Sequence, residues 1–115
     1  CGGCAVADIF WREAGFNFGQ THLLAFQCRF YPRPQAVSFW MRNTLIPLDM
    51  IFVDSTGLVK RVHENAVPGD ETPISGGEGI LVVLEINAGL AQALGIVPGS
   101  QMRHAVFGLD ALWPC

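Results

Sequence analysis

The sequence predicts one small domain, mainly β, with the strands closed into a sandwich or barrel and one or two short helices. Three observations carry that expectation. The stretch Phe39–Asp54, FWMRNTLIPLDMIFVD, sets long apolar runs around a polar corner, as a strand, corner and strand would. The run Ile80–Ile86 is a second apolar segment of strand length. The length of 115 residues suffices for one core but not for two domains.

Taken in order, Ala5–Ala14 places Val6, Ile9 and Phe10 at roughly helical spacing, which predicts a short helix. Thr21–Tyr31 is rich in aromatic and apolar residues and reads as a strand, which Pro32-Arg33-Pro34 ends. Phe39–Met41 suits a pleated surface, Asn43-Thr44 a turn, and Pro47 pushes Ile46 towards extended geometry. Met50–Val53 is apolar on both alternating faces, so this strand is expected to be covered on both sides. Asp54-Ser55-Thr56-Gly57 supplies a hairpin turn, with Gly57 expected at positive φ, and Leu58–His63 returns. Glu64–Gly79 reads as a long connection rich in Gly and Pro. In Ile80–Ile86, Val82, Leu84 and Ile86 share one face and Leu81, Val83 and Glu85 the other. Asn87–Leu94 fits a short helix capped by Asn87 and closed by Gly95. Val97–Ser100 is a turn and Gln101–Phe107 a last strand.

Charge excludes more than it suggests. Charged residues make up only 15% of the chain, the net charge is −3, and the seven Lys and Arg are scattered apart from Lys60-Arg61. A nucleic-acid surface has no basic stripe to rest on. No apolar run approaches the roughly 20 residues of a membrane span. The chain opens on Cys1, which suits a processed envelope or secreted product, with Cys1 as a lipid-attachment cysteine, as well as a fragment or a cytoplasmic protein.

Two carboxylates interrupt apolar strands, Asp49 and Glu85, and a carboxylate so placed needs donors or solvent. On one reading Trp40, Arg42, Asn43, Thr44, Asp49 and Glu85 line a ligand pocket with Trp40 as its apolar wall. On the other they form a hydrogen-bonded corner in which Glu85 pairs with Arg42. Asp49, beside the Asn43-Thr44 corner, is the better candidate for ligand contact, and Glu85 for a structural role. The two could also serve as an acid/base pair. Cys1-Gly2-Gly3-Cys4 has thiol-redox spacing but is expected to be a loose terminus with two incidental thiols, and four cysteines leave three complete pairings open. His22, His63 and His104 lack the spacing of a zinc ligand set, and no phosphate-binding loop or nucleophile elbow is present. No metal or other cofactor is called for.

The tryptophan-methionine-x-asparagine-threonine run at Trp40–Thr44, the Pro47-Leu48-Asp49 that follows, the Gly57 turn and VLEINAG at Val83–Gly89 resemble domain of unknown function 192, also known as uncharacterised protein family 0127. The resemblance covers about residues 32–104. Residues 1–30 diverge from the family's N-terminal signature and are expected to be the least ordered. The resemblance implies a jelly-roll sandwich and no established activity. Together these readings favour a non-enzymatic binding or accessory module for an unknown small molecule or protein, with a small enzyme built on Asp49 and Glu85 as the alternative and a thiol redox protein third.

Overall fold

In a computed structural model the described residues are 6–13, 16–24 and 27–115, with only the backbone described up to residue 24. Cys1, Cys4 and the side chain of His22 lie outside them, so the redox-spaced pair and the expected order of the N-terminus are not addressed.

Among the described residues seven strands form two antiparallel sheets. β1 (Val6–Glu13), β2 (Phe16–Leu24) and β7 (Gln101–Arg103) make one, in the order β2-β1-β7. The other runs β3-β6-β4-β5, from β3 (Gln27–Phe39), β4 (Leu48–Asp54), β5 (Val59–Ala66) and β6 (Ile74–Asn87). A short helix α1 (Leu90–Leu94) and a 3-10 segment (Ala105–Asp110) complete the chain.

Several boundaries correct the sequence reading. The helix expected over Ala5–Ala14 is strand β1, hydrogen-bonded to β2 on one side and β7 on the other. Val6, Ile9, Phe10 and Trp11 suit a strand as well as a helix, and two pairing partners decide between them. The strand expected over Thr21–Tyr31 is the end of β2 and the start of β3. Pro32-Arg33-Pro34 does not end β3; it falls in a gap in the ladder, between the Phe30↔Val82 and Gln35↔Ile80 pairs, where missing N–H groups cost nothing. The long connection over Glu64–Gly79 shrinks to residues 67–73, because β5 runs on to Ala66 and β6 begins at Ile74. The last strand stops at Arg103.

The hairpin follows the turn chemistry. Gly57 has φ +88°, and Asp54 Oδ1 accepts from the Thr56 and Leu58 amides at 2.8 and 3.1 Å. Met50, Ile51, Phe52 and Val53 are all buried at 1% exposure or less, covered on both faces as expected. Ile51 and Val53 enter a larger core cluster with Leu84, Ile86, Met102 and Phe107, while Met50 and Phe52 enter a smaller one with Val37, Met41 and Val83. In β6 the ladder to β4 skips Leu81, between Val53↔Val82 and Asp54↔Ile80. This bulge turns Leu81 into the larger cluster beside Val82 and leaves Ile80 in the smaller one. Beyond the bulge Gly76 lies against Phe52, where any Cβ would enter the ring and meet Val37.

Candidate functional site

The site is assembled on the face of the four-stranded sheet that carries the smaller cluster. In β3 the side chains alternate: Cys28 and Phe30 pack on the larger core, while Gln27, Arg29 and Tyr31 line a cleft on the opposite face. Gln27 pairs directly with Glu85 of β6, and Glu85 with Met50 of β4, so these three share that face. The segment after β3 folds over it. Met41 is fixed by two backbone bonds to the 67–73 loop, its N–H donating to Asp70 and its carbonyl accepting from Gly69, both at 2.8 Å. Asn43, at φ 62°, then turns the chain back.

Two adjoining clefts result. One, of about 470 Å3, is walled by Phe39 and Trp40 and lined by Arg29, Tyr31, Ser38, Arg42 and Glu85. The other, of about 460 Å3, is lined by Asn43, Leu45, Ile46 and Leu48. Gln27, Thr44 and Glu85 border both. Of the six residues singled out in the sequence, Trp40, Arg42, Asn43, Thr44 and Glu85 are thereby brought together. Gln27, Arg29, Tyr31 and Phe39 join them unforeseen. The signal for the first three was the polar alternation Gln27-x-Arg29-x-Tyr31 around apolar Cys28 and Phe30.

Asp49 stands apart. It is 0% exposed and its carboxylate accepts three backbone hydrogen bonds: Oδ1 from Asn65 at 2.9 Å, Oδ2 from Gly89 and Ala91 at 3.0 Å each. It therefore caps the start of α1, a role the sequence reading gave to Asn87, which is the last residue of β6. Asp49 pairs with Ile86 and Glu85 with Met50, so the two carboxylates point to opposite faces of the sheet. They cannot act as an acid/base pair on one substrate.

Arg42 does not pair with Glu85. Its guanidinium lies 5.4 Å from the centre of the Trp40 ring and 3.6 Å from Glu71, a surface ion pair of little energetic weight. The charge beside Glu85 is Arg29, which also lies over Phe39 at 5.2 Å. Burial pushes the Glu85 pKa up, and the positive charge of Arg29 opposes that rise. Burial likewise raises Tyr31, against the charge and hydrogen bond of Arg29 and with the charge of Glu85. Arg29 and Tyr31, two residues apart on β3, thus stand side by side in the lining of the cleft. Among the described residues no group of three or more His, Cys, Asp or Glu is arranged to hold a metal ion, and no helix is long and apolar enough to cross a membrane.

The sequence profile of domain of unknown function 192 (DUF192), described as Uncharacterized ACR, matches residues 17–104. The chain belongs to the DUF192 family. The match begins upstream of Pro32 and so takes in most of β2 and all of β3, which extends the resemblance read from the Trp40–Asp49 corner. A crystal structure of a protein of unknown function from Novosphingobium aromaticivorans DSM 12444 is similar, with 32% identity, 84% of each chain covered and a TM-score of 0.70. A second, described as a candidate transcription regulator from Sinorhizobium meliloti 1021, has 28% identity, covers 89% of this chain and 95% of its own, and has a TM-score of 0.71. No curated protein matches the chain.

Proposed function

We propose that this DUF192 domain is a binding module whose ligand site is the double cleft around Glu85. The observation that carries the reading is Trp40. A large aromatic side chain 52% exposed at the mouth of a cleft, beside a partly buried carboxylate and two guanidiniums, is costly to leave in water and well suited to a ligand. The ligand class is a small polar molecule with an apolar part. Nucleic acid is disfavoured by the scattered cations and the net charge of −3. A cell-envelope or secreted location, with a cytoplasmic one as the alternative, belongs to the same proposal.

The test is a thermal-shift screen of amino acids, carboxylates, sugars and nucleotides against the wild-type chain and Trp40→Ala. A true ligand at about 100 times its Kd stabilises the folded state by roughly 2.7 kcal/mol. The expected outcome is a compound that raises the wild-type Tm and does so far less for Trp40→Ala. Hits unaffected by the substitution, or none across the screen, would remove the proposal.

A further inference from the structure

We infer that the ligand of this cleft is a free α-amino acid with an apolar side chain, its ammonium facing Glu85, its carboxylate facing Arg29 and Tyr31, and its side chain in the Leu45-Ile46-Leu48 chamber. The inference rests on the binding-module reading and narrows it to one chemistry.

Three features of the cleft converge on that chemistry. Arg29 and Glu85 sit diagonally on neighbouring strands, since Gln27 pairs with Glu85 and Arg29 lies two residues on. Such positions are about 7–8 Å apart at the backbone, so these long side chains present a positive and a negative group side by side. The complement is a molecule carrying an anion and a cation one carbon apart. Second, the Arg29 side of the cleft is rich in hydrogen-bond donors. The guanidinium has five N–H groups in a fork that matches a carboxylate, and the Tyr31 hydroxyl, lining the same cleft, can donate beside it. On the Glu85 side burial already disfavours the charge, so a cation arriving there relieves a cost present in the empty cleft.

The third feature is the position of the apolar chamber. Leu45, Ile46 and Leu48 lie beyond Glu85, Thr44 and Gln27, which border both clefts. A ligand whose charged head lies between Arg29 and Glu85 directs any substituent across that shared border. Leu45, 91% exposed, and Ile46, 38% exposed, then gain cover on binding. A sugar would use the aromatic wall and the polar rim but leave this chamber empty. A simple fatty carboxylate would fill it but set a second anion beside Glu85.

The test is calorimetric titration of the full chain with L-leucine, glycine, 4-methylpentanoate, which lacks the amine, and L-leucinamide, which lacks the carboxylate. L-leucine is expected to bind at least tenfold more tightly than each of the other three. Glu85→Gln should weaken L-leucine about tenfold while leaving 4-methylpentanoate unchanged or tighter. Arg29→Gln should weaken L-leucine and 4-methylpentanoate and leave L-leucinamide unchanged. The ligand series on the wild-type chain decides the matter even where a variant fails to fold. Glycine binding as tightly as L-leucine, no loss on Glu85→Gln, or no binding of L-leucine at all would each overturn the inference. A sugar or nucleotide bound in a Trp40-dependent way would do so while leaving the binding-module reading intact.

Discussion

At the scale of single residues, the two carboxylates that break the apolar strands answer the cost of burial in different ways. Asp49 is surrounded by backbone N–H groups from two other parts of the chain, so its oxygens join β4 to the end of β5 and the start of α1. Asp49→Asn leaves one oxygen where two were engaged and turns an amide NH2 towards a backbone donor. Urea melts should show a loss of about 1–3 kcal/mol, the range for a disturbed buried hydrogen bond; an unchanged midpoint would mean the three bonds carry no stability. Glu85 has the charge of Arg29 beside it and a cleft in front of it, and its pKa is raised. A carboxylate raised in the folded chain takes up its proton there before the unfolded chain does, so its charge opposes folding at neutral pH. That penalty fades as pH falls through the folded value towards the ordinary 4.5. Glu85→Gln should therefore melt above the wild type at pH 7 and converge with it below about pH 4.5; a lower Tm at neutral pH would contradict this. The sequence flagged both positions through one signal, a charge within an apolar strand. What divides them is which face each occupies, and that depends on pairing with β6 and on contacts from Asn65, Gly89 and Ala91.

At the scale of elements, the parts legible in the sequence are those whose geometry is fixed locally. The Asp54–Gly57 turn is one: its side-chain bonds span four residues or fewer, and the residue types needed for them stand in line. Gly57 also has a packing reason to be glycine, since a Cβ there would come within 2.5 Å of the Met102 carbonyl oxygen. Gly57→Ala should cost about 1–2 kcal/mol for the left-handed backbone alone and more for pushing back β7. A denaturant midpoint close to wild type would show that the turn relaxes to another conformation. The strands missed in the sequence were those whose identity depends on distant partners. β1 is a strand because β2 and β7 flank it, and the first half of β6 is a strand although it reads SGGEG, because β3 pairs with it as far as Ile74. Period alone could not recover Gly76, where the absence of a side chain is what lets the strand lie on Phe52.

At the scale of the whole molecule, the sheet β3-β6-β4-β5 belongs to two cores at once. Ile51 and Val53 point into the cluster under β7 and α1, and their neighbours Met50 and Phe52 point into the cluster beneath the Trp40 corner. Neither core can loosen without exposing one face of β4, and β4 has no exposed face to spare. The cleft is built on the smaller core, through Tyr31 and Phe39 packed against it, so its shape is tied to the stability of the larger one across the sheet. The expected behaviour is a single cooperative transition in which far-UV circular dichroism and tryptophan fluorescence coincide. Ile51→Ala removes a buried side chain from the larger cluster and Phe52→Ala one from the smaller. Each should lower stability by several kcal/mol, within the roughly 2–5 kcal/mol of large-to-small core changes. Both should move the one transition rather than split it. A Phe52→Ala chain whose fluorescence melts well before its circular dichroism would show that the Trp40 corner and its cleft form a separable unit, and would detach the binding site from the stability of the sandwich.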